Sequence, residues 1–87
     1  MYVIVSYDVE ITKCQKLLKL LRKYLFHVHN SVFEGELTEN EKKQLEQKIL
    51  KIIDNSESSV VIYELPSVKP LKKVILGNQP KSTNTII

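Results

Sequence analysis

Asp8 is the first acidic residue of the chain, and it closes the strand-forming stretch Met1-Tyr2-Val3-Ile4-Val5-Ser6-Tyr7. A carboxylate that ends a buried strand lies where the sheet stops and a helix begins. There it serves either as a polar cap on the strand–helix turn or as an oxygen donor to a hard cation, and by pattern alone the cap is the simpler reading. One carboxylate holds a divalent ion poorly, whereas Mg²⁺ is commonly bound by one or two carboxylates together with waters and phosphates. Two copies of Asp8 brought together on a molecular dyad would build a site that one chain lacks.

Other catalytic candidates are fewer. His27 and His29 have strand spacing, i and i+2, so they are expected to share a face and could ligate a metal together. No third ligand is legible beside them, and an exposed strand face explains them equally well. Cys14 falls on the apolar side of a helix pattern and reads as a core residue. Ser6 and Ser31 have no recognisable base, and two glycines, Gly35 and Gly77, are too few for a phosphate-cradling loop.

Phosphate binding by charge has broader support. Lys13, Lys16, Lys19, Arg22 and Lys23 follow one another with no acid between them, and from Leu65 onward Lys69, Lys72, Lys73 and Lys81 again meet none. The stretch from Glu34 to Glu57 holds seven acids against four lysines. Two basic zones flanking an acidic one suit a polyanion, with Lys16, Lys19 and Lys23 as nucleic-acid contacts; a merely solvated face is the alternative.

The elements that must position these groups follow from periodicity. Met1 to Asp8 is a strand of β-formers, near-continuously apolar and so central in a sheet. Thr12 and Gln15 match a capping box, and the helix after them places Cys14, Leu17, Leu18, Leu21, Tyr24 and Leu25 on one face and Lys16, Lys19, Arg22 and Lys23 on the other. Phe26 to Leu37 is strand-like, with Asn30-Ser31 as a break between two short strands. Thr38 and Glu41 make a second capping box, before a helix with a stripe of Leu45, Ile49, Ile52 and Ile53 that Asp54-Asn55-Ser56 ends. Ser59 to Leu65 is another strand, stopped by Pro66, and Lys73 to Leu76 is a short strand candidate. The order predicts an α+β domain over residues 1–77, a ferredoxin-like βαββαβ sandwich with two helices on one face of an antiparallel sheet. The tail, 78–87, has no place in a completed four-strand sheet and is expected to pair with a sheet edge on a second chain.

A chain of 87 residues holds one small domain, and a single cysteine excludes an internal disulfide framework. The opening apolar run stops at five residues, too short for a signal-peptide core or a membrane span, so a cytoplasmic protein without membrane contact is expected.

Met1-Tyr2-Val3-Ile4-Val5-Ser6-Tyr7-Asp8, the basic leucine-rich helix, Asn30-Ser31-Val32-Phe33-Glu34-Gly35-Glu36-Leu37 and the acid-capped helix after it resemble the CRISPR-associated protein 2 family. The similarity runs from residue 1 to about residue 77. It implies a ferredoxin-like homodimer in which the C-terminal segment adds a strand to the partner's sheet. It also implies a role in CRISPR adaptation, bound to the CRISPR integrase that inserts new spacers, and metal-dependent cleavage of RNA or double-stranded DNA with Asp8 as the metal ligand. Tyr7, Ser31 and Phe33 match further positions associated with that site. Arginines frequent early in the family's first helix and in its second strand have no counterpart; Cys14, Gln15, His27 and His29 occupy those neighbourhoods.

Two readings follow, and whether the protein is an enzyme stays open between them. In the first, paired Asp8 carboxylates hold Mg²⁺ (or Mn²⁺) for phosphodiester hydrolysis, with Tyr7 and Ser31 positioning the phosphate. In the second, the basic dimer is a catalytically silent bridge between integrase and duplex. A toxin-type ribonuclease of the same fold is a third, weaker alternative.

Overall fold

The computed structural model describes residues 1–54, 56–67 and 69–77. Six elements follow in the order β1 (Tyr2–Asp8), α1 (Ile11–Tyr24), β2 (Phe26–His29), β3 (Val32–Glu36), α2 (Glu39–Ile53) and β4 (Ser59–Leu65). The sheet order is β2-β3-β1-β4 with every neighbouring pair antiparallel, so the α+β, ferredoxin-like expectation holds and β1 is central.

Alternation along the strands sorts their side chains. Val3 and Val5 of β1 and Phe33 of β3 are fully buried and pack with Leu17 and Leu21 of α1 and Leu45 of α2. Each such side chain contributes roughly 1.5–3 kcal/mol by leaving water. The residues between them, Ile4 and Ser6 opposite Glu34 and Val32, lie on the face that carries no helix. Gly35 belongs to the helix-covered side, where a Cβ would come within 3.1 Å of the Leu25 side chain. A side chain at this position would make the Leu25 side chain, just past the end of α1, give way.

The break at Asn30-Ser31 is real: Asn30 takes φ 42°, a left-handed conformation that asparagine tolerates better than most residues. The second capping box is also present, with Glu41 N donating to Thr38 Oγ1 at 3.1 Å and Thr38 N donating to Glu41 Oε1 at 2.9 Å. The first capping box does not form. Helix α1 begins one residue before Thr12, and Glu10 occupies the N-cap position without a side-chain cap. The buried stripe of α1 is Leu17, Leu20 and Leu21, continued by Leu25, while Cys14, expected in the core, is half-buried at its margin.

Lys73 to Leu76 do not form a strand. Among the described residues no strand pairs with them, and Lys73 instead extends its ammonium to the carboxylate of Glu34. The tail assigned to cross-dimer pairing, 78–87, lies outside the described residues.

Candidate functional site

Asp8 ends β1 opposite Ser59 of β4, in the same alternation as Ile4 and Ser6, and so projects on the helix-free side. Its side chain is exposed and forms no ion pair among the described residues. A free carboxylate oxygen at a strand end is a donor of the kind that hard cations take.

Tyr7 lies on the other side of the sheet, half-buried beneath α1. Its backbone N–H donates to Ser31 O at 3.1 Å, which ties the end of β1 to the β2–β3 turn, and its ring sits 6.3 Å from that of Phe33. Burial, then the Cys14 thiol, push the phenol above its ordinary pKa, with Arg22 opposing, so Tyr7 is a neutral hydrogen-bonding group at physiological pH. Phe33 is fully buried and supports Tyr7 from within the core. The structure therefore gathers Tyr7, Ser31 and Phe33 behind Asp8, as the frame that holds its strand end.

His27 and His29 are separated rather than joined. A bulge between them sets His27 opposite Phe33 and His29 opposite Val32, adjacent residues of β3 whose side chains take opposite faces. His27 stacks on Phe33 at 4.5 Å with an interplanar angle of 11°, and its Nε2 lies 2.7 Å from Asn30 O. A carbonyl only accepts, so that nitrogen carries the proton. The pair cannot ligate one ion, and no group of three or more His, Cys, Asp or Glu among the described residues is placed to hold a metal.

Two clusters escaped the sequence reading. On the helix-free face Glu34 is buried between Tyr2 and Lys73, and burial, the Glu34 charge and its hydrogen bond together push the Tyr2 phenol up to about 12. A charge inside the buried run Phe33-Glu34-Gly35 demanded a partner, but that partner lies 39 residues away. The second cluster holds the turn after Asp8. Glu10 N donates to Ser58 Oγ at 3.1 Å, Ser58 Oγ is 2.9 Å from Ser56 Oγ, and Ser56 Oγ donates to Ile53 O at 2.6 Å.

The basic side of α1 is as expected, with Lys16, Lys19, Arg22 and Lys23 all exposed. At 1.5 Å per residue, Lys16 to Lys23 cover about 10 Å along the helix axis.

The family described as CRISPR associated protein Cas2 matches residues 1–72. The chain belongs to the Cas2 family. It is 45% identical over 87 residues to a CRISPR-associated endoribonuclease Cas2 of Methanocaldococcus jannaschii, covering all of this chain and 76% of the relative. The corresponding protein of Thermococcus kodakarensis is 41% identical, with both chains covered in full. A solved Cas2 crystal structure superposes with a TM-score of 0.83 at 41% identity, covering 100% of this chain and 98% of the other. Within this Cas2 framework, Asp8 is the exposed acid at the end of the central strand, and no helix among the described residues is long and apolar enough to cross a membrane.

Proposed function

We propose that the protein is a homodimeric CRISPR adaptation protein that binds nucleic acid and the CRISPR integrase, and that cleaves RNA phosphodiesters with a divalent cation. The observation that carries this reading is Asp8 itself: an exposed, unpaired carboxylate beside a helix-free face, in a chain similar to proteins named endoribonucleases. That face exposes Val61, Tyr63 and Phe26, apolar groups suited to a second copy of the same sheet.

The donor chemistry fits half of a Mg²⁺ or Mn²⁺ site, and two chains meeting through these faces supply two Asp8 carboxylates. A bound ion lowers the pKa of water and offsets charge on the phosphoryl oxygens. Tyr7 and Ser31 keep the strand end in place through their backbone hydrogen bond. Lys16, Lys19 and Lys23 hold the flanking backbone by charge. Hydrolysis joins a water oxygen to phosphorus and breaks one P–O ester bond, and the departing oxygen takes up the proton that the water gives up.

Asp8→Asn tests the reading, because it keeps size and loses the charge that holds a hard cation. Divalent-dependent RNA cleavage should disappear while the dimer mass and circular dichroism spectrum stay unchanged. Cleavage retained by a highly purified variant would overturn the assignment. The exposed basic side of α1 favours a second reading, in which binding and bridging are the whole function. Spacer acquisition that survives Asp8→Asn would support it.

A further inference from the structure

The two helices start differently. At α2 the N-cap N–H of Thr38 is satisfied locally by Glu41, three residues on. At α1 the corresponding position is Lys13, whose ammonium accepts nothing, so the N-cap N–H of Glu10 has no local acceptor. Ser58, 48 residues away at the entrance to β4, supplies it. Ser56 carries one hydroxyl proton and directs it to Ile53 O, so the proton between the two serines comes from Ser58. The chain runs one way, from Glu10 N–H through Ser58 and Ser56 to the carbonyl of Ile53 in the last turn of α2, and each bond polarises the next.

Asp8 sits between two restraints. On one side the antiparallel ladder pairs it with Ser59; on the other, beyond Val9 alone, Glu10 is pegged to Ser58. We propose that Ser58 is a positioning residue for the divalent-cation site at Asp8, fixing through its hydroxyl the turn from which that carboxylate projects. The proposal rests on the reading of Asp8 as a cation ligand. A hydroxyl chain anchored in the last turn of α2 gives the turn a fixed backbone path before any ion arrives; partners that hydrogen-bond a metal ligand directly alter affinity about 10–100-fold, and Ser58, which acts on the backbone two residues from Asp8, belongs at the low end of that range.

The test uses the full chain, Mn²⁺ as probe, and the variants Ser58→Ala, Ser58→Thr, Ser56→Ala and Asp8→Asn. Free Mn²⁺ measured by electron paramagnetic resonance gives the dissociation constant, and amide hydrogen exchange at Glu10 in the metal-free protein gives the state of the turn. Ser58→Ala should raise the Mn²⁺ dissociation constant about tenfold and speed exchange at Glu10 with the dimer mass unchanged. Ser58→Thr, which keeps the hydroxyl, should restore both. Ser56→Ala keeps the bond to Glu10 and shortens the chain, so its affinity should fall between wild type and Ser58→Ala. Mn²⁺ binding lost in Asp8→Asn yet unchanged in Ser58→Ala would overturn this proposal alone. Mn²⁺ binding that survives Asp8→Asn would overturn the ligand reading and the positioning role with it.

Discussion

The two faces of the sheet are made from alternate residues of the same strands, and they have become different materials. On the helix-covered side Val3, Val5 and Phe33 are 0% exposed and meet leucines from both helices. On the helix-free side Val61, Tyr63 and Phe26 are 45%, 58% and 49% exposed, and the buried polar group is Glu34, held by a lysine from beyond the last strand. A step of one residue along β3, from Phe33 to Glu34, moves from a ring in the apolar core to a carboxylate enclosed on the helix-free side. In the proposed dimer, stability and association fall to separate sets of side chains, and substitutions should separate them.

The largest effect is expected at Phe33. Phe33→Ala removes a fully buried ring and the support of Tyr7 and His27 together, and should cost about 3–5 kcal/mol in urea unfolding. A loss below about 0.5 kcal/mol, within the range of ordinary surface changes, would show that the helix-covered face tolerates a void there.

Across the sheet, Val61→Glu should leave the fold alone and attack association. An unpaired charge taken into an interface costs about 3 kcal/mol, which corresponds to a dimer dissociation constant raised on the order of a hundredfold. Sedimentation should then show a single-chain mass at micromolar concentration, with unchanged circular dichroism. A dimer that survives would mean that the helix-free face is not where two copies meet.

This division explains what was legible in the sequence. Hydrophobic period announced every helix and strand of the βαββαβ core, and Asn30 and the Thr38–Glu41 pair announced their local turns because the chemistry of each is contained within four residues. Thr12 and Gln15 carried the same local signature without the bond, since the N-cap falls two residues earlier, at Glu10, and Ser58 holds it from another part of the chain. Asp8 was legible as an acid that ends a buried strand. The Tyr2–Glu34–Lys73 cluster, the bulge that parts His27 from His29, and the serine chain were not, because each depends on register or on contacts between residues far apart in sequence.

A smaller loss is expected when the buried carboxylate is stripped of its partner. Lys73→Ala leaves Glu34 enclosed and charged; Lys73 is partly exposed, so the cost should be about 1–3 kcal/mol in the same unfolding measurement. Combining it with Glu34→Gln removes the stranded charge and should recover most of that loss. If the double variant is no better than Lys73→Ala alone, Glu34 is not held as a charged group by this lysine.

The smallest effect at neutral pH belongs to Tyr2, which faces the same cluster and sharpens the comparison by titration alone. An ordinary tyrosine ionises near 10, and burial and the Glu34 carboxylate push Tyr2 up to about 12. The folded state therefore holds the phenol proton more tightly than the unfolded chain does. The stabilisation linked to that proton is complete below pH 10 and is lost as the pH rises from 10 through 12. Wild type minus Tyr2→Phe, followed by absorbance at 295 nm, should isolate one phenol that ionises near 12, and unfolding midpoints of the two proteins should converge over the same interval. A difference curve centred near 10 would place Tyr2 outside the buried cluster and return the helix-free face to an ordinary solvated surface.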